Sequence, residues 1–427
     1  RTVTIIVLNQ SAATKERDES ERCTWFQVGL SVQRVNTTEF LPRENTGGAR
    51  TKDDQTAALI YHKARSFAVG HTASARWTMA GGQAATLETE WIPSAVVSAV
   101  SAHGDKVFAE VLAGQTLQPF SATWLGTAND NDLIAGLRLI TAAWRTWQAQ
   151  QHSDISSLPG NLRAYATDHE KLWASGTERM ERGIAFLKDN AIARDAFRAA
   201  NRAMVLQRKW ARGDADLTWY PFQVAFQLLA LESLLNPASD DRAIADLLWF
   251  PTGGGKTEAY LGCIALLLFY RRLVPRAPRD GCGVNVIMRY TLRVLTTQQF
   301  ERAAALIAAA DLIRGADPRM AGQDRFRLGL WIGGESRPKE VAKAHAAKAA
   351  AMDLKRCPCC GKKLTVAADA TRFALECVNA KKCDLAKFNP IMPVWTVDED
   401  IYRDPPSLLL GTVDKFAQIA RNERTGR

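Results

Sequence analysis

Long hydrophobic runs are missing from this 427-residue chain. The longest apolar stretch, around Ala265–Tyr270, is far too short for the roughly 20 residues that cross a bilayer as a helix. No charged segment followed by an apolar one opens the chain, so no export signal is read. Acidic residues are in deficit, 45 Asp and Glu against 55 Lys and Arg, for a net charge of +10. That balance argues against an acidic scaffold and suits a nucleic-acid partner. Cysteine is sparse outside one short segment: of eight, five lie between Cys357 and Cys383, four of them at spacings that suit a metal, and the others do not form a disulfide framework. A reducing, cytoplasmic setting is expected. Internal repeats are absent. What is present is ordinary for a water-soluble protein, 47% hydrophobic and 23% charged residues, with length for two or three domains. The chain opens on Arg1 and closes on "RNERTGR", which leads us to expect a fragment of a longer protein.

Three regions are expected. Residues 1–125 read as β-rich: "TVTIIVL", "FQVGLSVQRV", "RSFAVGH" and "TLETEWIP" are β-branched or alternating and are separated by turn-forming clusters. His71 is isolated there and is assigned a structural role. Residues 126–212 read as helical, with Asn131 and Asp132 as a candidate cap and an apolar stripe of Leu133, Ile134, Leu137, Ile140, Trp144 and Trp147. Residues 213–427 alternate strand and helix. The strand candidates are "ADLLWF", "VNVIM", "FRLGLWI" and "SLLLGT", an order that implies parallel strands in a three-layer α/β lobe.

The densest chemistry lies in "LLWFPTGGGKTEAYLG". An apolar run stops at Pro251-Thr252; Gly253, Gly254 and Gly255 follow; Lys256-Thr257 then open a long apolar helix. Glycines let backbone N–H groups approach phosphates that any Cβ would block. Lys256 supplies a point charge to the β- and γ-phosphates of ATP, and Thr257 a hydroxyl for Mg2+. A second constellation is Cys357-x-x-Cys360 and Cys377-x5-Cys383 within residues 355–388, two knuckles that bring four thiolates to one structural Zn2+. Cys359 also lies inside the first knuckle, and the C-P-x-C-G pattern favours Cys360 as the ligand. Residues 355–387 carry eight Lys and Arg against three Asp and Glu, so this insertion is also a candidate for contact with a DNA backbone.

"FPTGGGKT" resembles motif I of the superfamily 2 helicases, with Phe250 where that family has a small residue. "WYPFQ" (219–223) is similar to the upstream Q-type motif, which implies that Gln223 reads the adenine edge. "YTLRVLTTQQ" (290–299) resembles motif Ia. Thr296 and Gln299 there form a capping box for a helix closed by Gly315, beside Arg293. "GLWIGGES" (329–336) has the Gly333-Gly334 pair that follows the next strand in relatives. "LLLGTVDKFAQIA" (408–420) resembles motif Ib through Thr412 and Lys415. The resemblance implies a RecA-like P-loop lobe with ATP on Gln223 and Pro251–Thr257. It also implies DNA, single-stranded or at a duplex end, along Arg293, Thr296, Gly333, Gly334, Thr412 and Lys415. "VDED" (397–400) imitates the acidic box but precedes motif Ib and runs into "IYRDPP", read as a loop. The true box and the second lobe are therefore expected beyond residue 427. Taken together, "FPTGGGKTEAYLG", "MRYTLRVLTTQQFERA" and "VDEDIYRDPPSLLLGTVDKFAQIA" are similar to the helicase-like proteins of the DISARM anti-phage system. That implies an ATP-dependent DNA helicase or translocase subunit working with a DrmB-like partner and a DNA methyltransferase. A nucleotide-gated DNA-binding scaffold and a metabolic P-loop kinase are the alternatives.

Overall fold

The computed structural model describes residues 2–11, 21–35, 38–43, 51–94, 106–113, 116–213, 216–249, 254–274, 281–290, 293–333, 338–417 and 419. The chain divides into two compact units: residues 1–99 with 154–169, and residues 100–153 with 170–427.

The first unit holds a small antiparallel sheet, β1 (Ser31–Gln33), β2 (Ser74–Ala80) and β3 (Gln83–Glu90), in the order β1-β3-β2, and a helix α1 (Lys52–Ile60). Gly81 and Gly82 turn β2 into β3, both with positive φ (60° and 80°), which a two-residue hairpin turn of this hand requires. Trp77 pairs across the ladder with Leu87 and meets Phe67 edge-on at 5.8 Å. "TVTIIVL", expected as a strand, is not one: residues 2–11 are exposed and form no ladder. A β-branched run without a sheet edge to pair with stays extended and solvated. His71 lies in a bend and belongs to no group of metal-binding side chains among the described residues.

The second unit begins with two short helices, α2 (Lys106–Leu112) and α3 (Ala122–Leu125). Three long ones follow: α4 (Asp130–Ile155), α5 (Gly160–Asp189) and α6 (Ala191–Arg212), of which residues 154–169 count with the first unit. The stripe Leu133, Ile134, Leu137 and Ile140 is buried as its periodicity requires. The cap of α4 is Asn129, whose side chain accepts from the Asp132 N–H at 2.9 Å, rather than Asn131 or Asp132. Next come α7 (Pro221–Leu235) and α8 (Lys256–Leu273), the latter packed against α6 and α7 through Leu261, Ala265, Leu268 and Phe269.

A four-stranded sheet follows, built from β4 (Val286–Tyr290), β5 (Leu328–Trp331), β8 (Val394–Trp395) and β9 (Leu408–Thr412), in the order β4-β9-β5-β8 and parallel at every pairing. One face, with Leu328, Leu330, Val394, Leu408 and Leu410, enters the main core beneath α9 (Arg293–Ala316). The other face, with Trp331, Trp395 and Leu409, packs a smaller core beneath α12 (Asp398–Arg403) and α13 (Val413–Ala417). Between β5 and β8 come α10 (Val341–Ala347), a small hairpin of β6 (Thr365–Val366) and β7 (Leu375–Glu376), and α11 (Asp384–Phe388). Among the described residues, no helix is long and apolar enough to cross a membrane.

Further local expectations fail in this unit. "ADLLWF" is not a buried strand up to Trp249: Leu247 is 86% and Trp249 83% exposed, and Phe250 lies outside the described residues. Residues 244–249 border a cavity of about 560 Å³ with the outer edge of β4 through Ile244 and Asp246 but make no ladder with it. Instead, Arg179 on α5 holds Asp246 through two hydrogen bonds of 2.6 and 2.9 Å and reaches Asp241 as well. Helix α9 also begins at Arg293, so Thr296 lies within its first turns rather than capping it, and Gly315 lies inside the helix rather than closing it. Gly315 answers a packing need: a Cβ there would sit 2.2 Å from the Phe388 ring.

Candidate functional site

Pro251, Thr252 and Gly253 lie outside the described residues, and the turn becomes visible at Gly254. Gly255 caps α8 with φ 88° and ψ 23°, the left-handed region that strains any residue with a Cβ. Lys256 and Thr257 are the first two residues of the helix, where its unpaired N–H groups and positive dipole end gather. Gln223 fixes this corner. Its Oε1 accepts from the Tyr220 N–H at 2.8 Å and its Nε2 donates to the Gly255 carbonyl at 2.8 Å. The side chain is buried, so the amide assigned to the adenine edge also positions the glycine of the turn. Behind it, Gly262 lets α8 approach Gln227, whose amide a Cβ would meet at about 3.0 Å.

Gly255, Lys256 and Thr257 open on a cavity of about 1680 Å³, which also touches Tyr220, Gln223 and the α9 residues Gln299 and Arg302. Arg302 forms an ion pair with Glu258 of the first turn of α8, which joins the two helices at the cavity wall.

The residues assigned to nucleic acid fall at one end of the sheet. Tyr290 pairs with Thr412 and Trp331 with Gly411, so β4, β5 and β9 finish level with one another. Arg293 opens α9 directly after β4, with the side chains of Arg293 and Thr296 outside the described set. Gly333 follows β5 and is half-buried; Gly334 lies outside the described residues. Thr412 is buried, and its Oγ1 has no hydrogen-bond partner among the described residues. Lys415 is only 6% exposed: its Nζ meets Asp398 at 2.5 Å and lies 5.5 Å from the centre of the Trp331 ring.

The acidic run "VDED" is thereby given partners. It opens the short helix α12 rather than a loop, and its three carboxylates point in three directions. Asp398 neutralises Lys415 on α13. Glu399 accepts from the Val341 N–H at 2.9 Å, at the start of α10, and pairs with Arg403 at 2.5 Å. Asp400 is fully buried and accepts from the Phe373 N–H at 3.0 Å. Burial pushes the Asp400 carboxyl above its ordinary value, against the lowering effects of that hydrogen bond and of Arg372.

The four cysteines converge. The Sγ atoms of Cys357, Cys360, Cys377 and Cys383 all lie within 4.8 Å of one another. Cys357 and Cys383 are 3.8 Å apart, Cys360 and Cys377 3.7 Å. Four thiolates at the usual Zn–S distance of about 2.3 Å stand about 3.8 Å apart at tetrahedral corners, close to the two pair distances seen here, so the donor set suits zinc. The first knuckle turns through Gly361, with φ 69°, and Cys357 both accepts from Gly361 and donates to Lys362, each at 2.8 Å. Cys359 lies outside the set. Burial raises the Cys357 thiol. At Cys360 the raising effect of burial is outweighed by hydrogen bonds from the Lys362 backbone, Asn379 and neighbouring thiols, which hold it at about 7. A bound Zn2+ would draw the remaining protons off, and four thiolates leave no open coordination position for catalysis.

The molecule is thus a mixed α/β protein with a parallel sheet, a glycine-capped helix facing a large cavity, and a zinc-binding cysteine cluster inserted before the sheet's last strands. No family model matches the chain. It is 30% identical, over 473 aligned positions, to the DISARM protein DrmA of Bacillus paralicheniformis. The alignment covers 99% of this chain and 40% of that protein. The chain therefore spans about two fifths of the curated relative's length, and its resemblance to DrmA extends to both units.

Proposed function

We propose that this chain is the N-terminal part and ATP-binding lobe of an ATP-dependent DNA helicase or translocase in a bacterial anti-phage defence system of the DISARM type. Residues 213–427 make the first RecA-like lobe, behind a β-rich region (1–125) and a helical region (126–212). The observation that carries the reading is the corner at Gly255: a left-handed glycine, gripped by Gln223, sets Lys256 and Thr257 at the start of a buried helix and on a large cavity. The likeness to DrmA along the whole chain supports the setting.

In this reading ATP–Mg2+ binds at Pro251–Thr257 and supplies the free energy for movement along DNA. The backbone N–H groups of Gly253 to Lys256 bind phosphate oxygens. The Lys256 ammonium neutralises charge on the β- and γ-phosphates, and the Thr257 hydroxyl coordinates the metal. Gln223 meets the adenine with the hydrogen-bonding capacity it has left after Tyr220 and Gly255. DNA phosphates meet the level strand ends at Arg293, Thr296, Gly333, Gly334 and Thr412. Lys415 joins them only where a phosphate displaces Asp398. The working protein acts in the cytoplasm with a DrmB-like protein and a DNA methyltransferase. The test is nucleotide binding by the purified chain. Lys256→Ala should weaken ATP–Mg2+ binding by roughly ten- to a hundredfold, the worth of a charge-assisted contact to phosphate. Equal affinity in the variant would remove the reading.

A further inference from the structure

The cavity in front of Lys256 has a second wall. Besides the glycine corner it is lined by Lys355 and Arg356, which lead into the first zinc knuckle, and by Arg208 and Arg212 near the end of α6. Two features set this space apart from a pocket for one nucleotide. Its volume, about 1680 Å³, exceeds the roughly 300–1,000 Å³ common for small-molecule sites. Its charge is also lopsided: six Lys and Arg line it against Asp216, Glu258 and Glu301. Glu258 is already taken by Arg302, and the Asp216 carboxylate accepts from the Ser121 and Thr123 hydroxyls. Among the described residues, Arg208, Arg212, Lys355 and Arg356 form no ion pair; Arg356 donates to the Gly361 carbonyl at 3.1 Å, which orients its guanidinium on the knuckle.

We propose that Arg208, Arg212, Lys355 and Arg356 form a second phosphate subsite in this cavity, with the zinc knuckle as one of its walls. The inference rests on the reading of Lys256 as a phosphate ligand and extends that site. A triphosphate held at Gly255–Thr257 has its charge at the cradle, so four further cations lining the same cavity call for further phosphate groups. These belong either to the same nucleotide, lying across the cavity, or to a nucleic-acid backbone entering it. Zinc then has a role beyond folding the insertion: it fixes the backbone that carries Lys355 and Arg356.

The test uses the zinc-loaded chain and two probes, a fluorescent ATP analogue with Mg2+ and a fluorescent oligothymidylate. The variants are the double substitution Lys355→Glu, Arg356→Glu, the double substitution Arg208→Gln, Arg212→Gln, and Lys256→Ala. Zinc content and the unfolding midpoint should match the parent in both double variants, because three of the four side chains are exposed and none is a metal ligand. Each double variant should lose roughly tenfold or more in affinity for one probe. A loss for the ATP analogue identifies the nucleotide as the occupant. A loss for the oligonucleotide alone, with a gentler salt dependence, identifies a nucleic-acid backbone. Unchanged affinity for both probes in both double variants overturns the subsite. If Lys256→Ala weakens nucleotide binding in that case, the cradle stands without it. If the parent binds no nucleotide and only the oligonucleotide responds to the double variants, the subsite stands and the cradle falls.

Discussion

Gly255→Ala is the sharpest perturbation of the proposed cradle, and its cost has two separable parts. The first is conformational. At φ 88° an L-residue is strained by about 1–2 kcal/mol. The second is a collision. A Cβ would stand 2.7 Å from Nε2 of Gln223, a buried amide whose two ends are already engaged by Tyr220 and by Gly255 itself. Moving that amide breaks at least one hydrogen bond and leaves a buried polar group without its partner, which adds about 1–3 kcal/mol. Gly283→Ala is the control, because Gly283 has a similar φ of 76° but a Cβ there meets nothing within 4 Å. It should cost only the first part. Urea unfolding of both variants, read at a constant m-value, should therefore put Gly255→Ala below Gly283→Ala by about 1–3 kcal/mol. Nucleotide affinity should fall in the first variant alone. Equal midpoints would refute the claim that Gln223 grips this corner.

Elemental analysis should find one zinc per chain. Cys377→Ser should lose the metal and expose residues 355–388 to protease while the parallel sheet survives, and a metal-free parent protein would end the assignment. Asp398→Asn should destabilise by about 3–5 kcal/mol, because Lys415 is left buried without a counter-charge. Adding Lys415→Met should recover much of that, whereas additive losses would show that the two side chains are not coupled. Asp400, with its carboxyl raised by burial, keeps its proton longer in the folded chain than in the unfolded one, so stability should fall as pH rises from about 3.8 through the folded value. Asp400→Asn should flatten that decline, and a rise in parental stability attributable to Asp400 over the same window would contradict the burial argument.

Much of the second unit was legible because its central strands, β5 and β9, are buried on both faces, while β4 alternates half-buried and exposed residues. "VNVIM", "FRLGLWI" and "SLLLGT" read as continuous apolar runs and became β4, β5 and β9. "ADLLWF" carries the same signal, yet Leu247 and Trp249 are exposed, because hydrophobicity marks a capacity to pair and not the presence of an edge. β8 escaped notice because two residues, Val394 and Trp395, are too few to show a period. The cysteine spacing announced the convergence of the four thiols, since ligand spacing is local. The partners of Gln223 and Lys415 were invisible for the opposite reason: the Gly255 carbonyl and Asp398 reach them only through tertiary packing. Gly315 shows the same limit. A glycine near a helix end reads as a stop signal, and only the Phe388 ring explains why it sits one residue before the end of α9.

The three carboxylates of α12 have a practical consequence for genetics. Each ties a different element, α13, α10 or the loop before β7, to one turn of helix. A loss-of-function screen in living cells would therefore score Asp398, Glu399 and Asp400 as intolerant, in a pattern that reads as an acidic catalytic motif. The same screen run for protein abundance should reproduce that pattern in full, whereas a catalytic acid would drop out of the abundance map and remain only in the activity map.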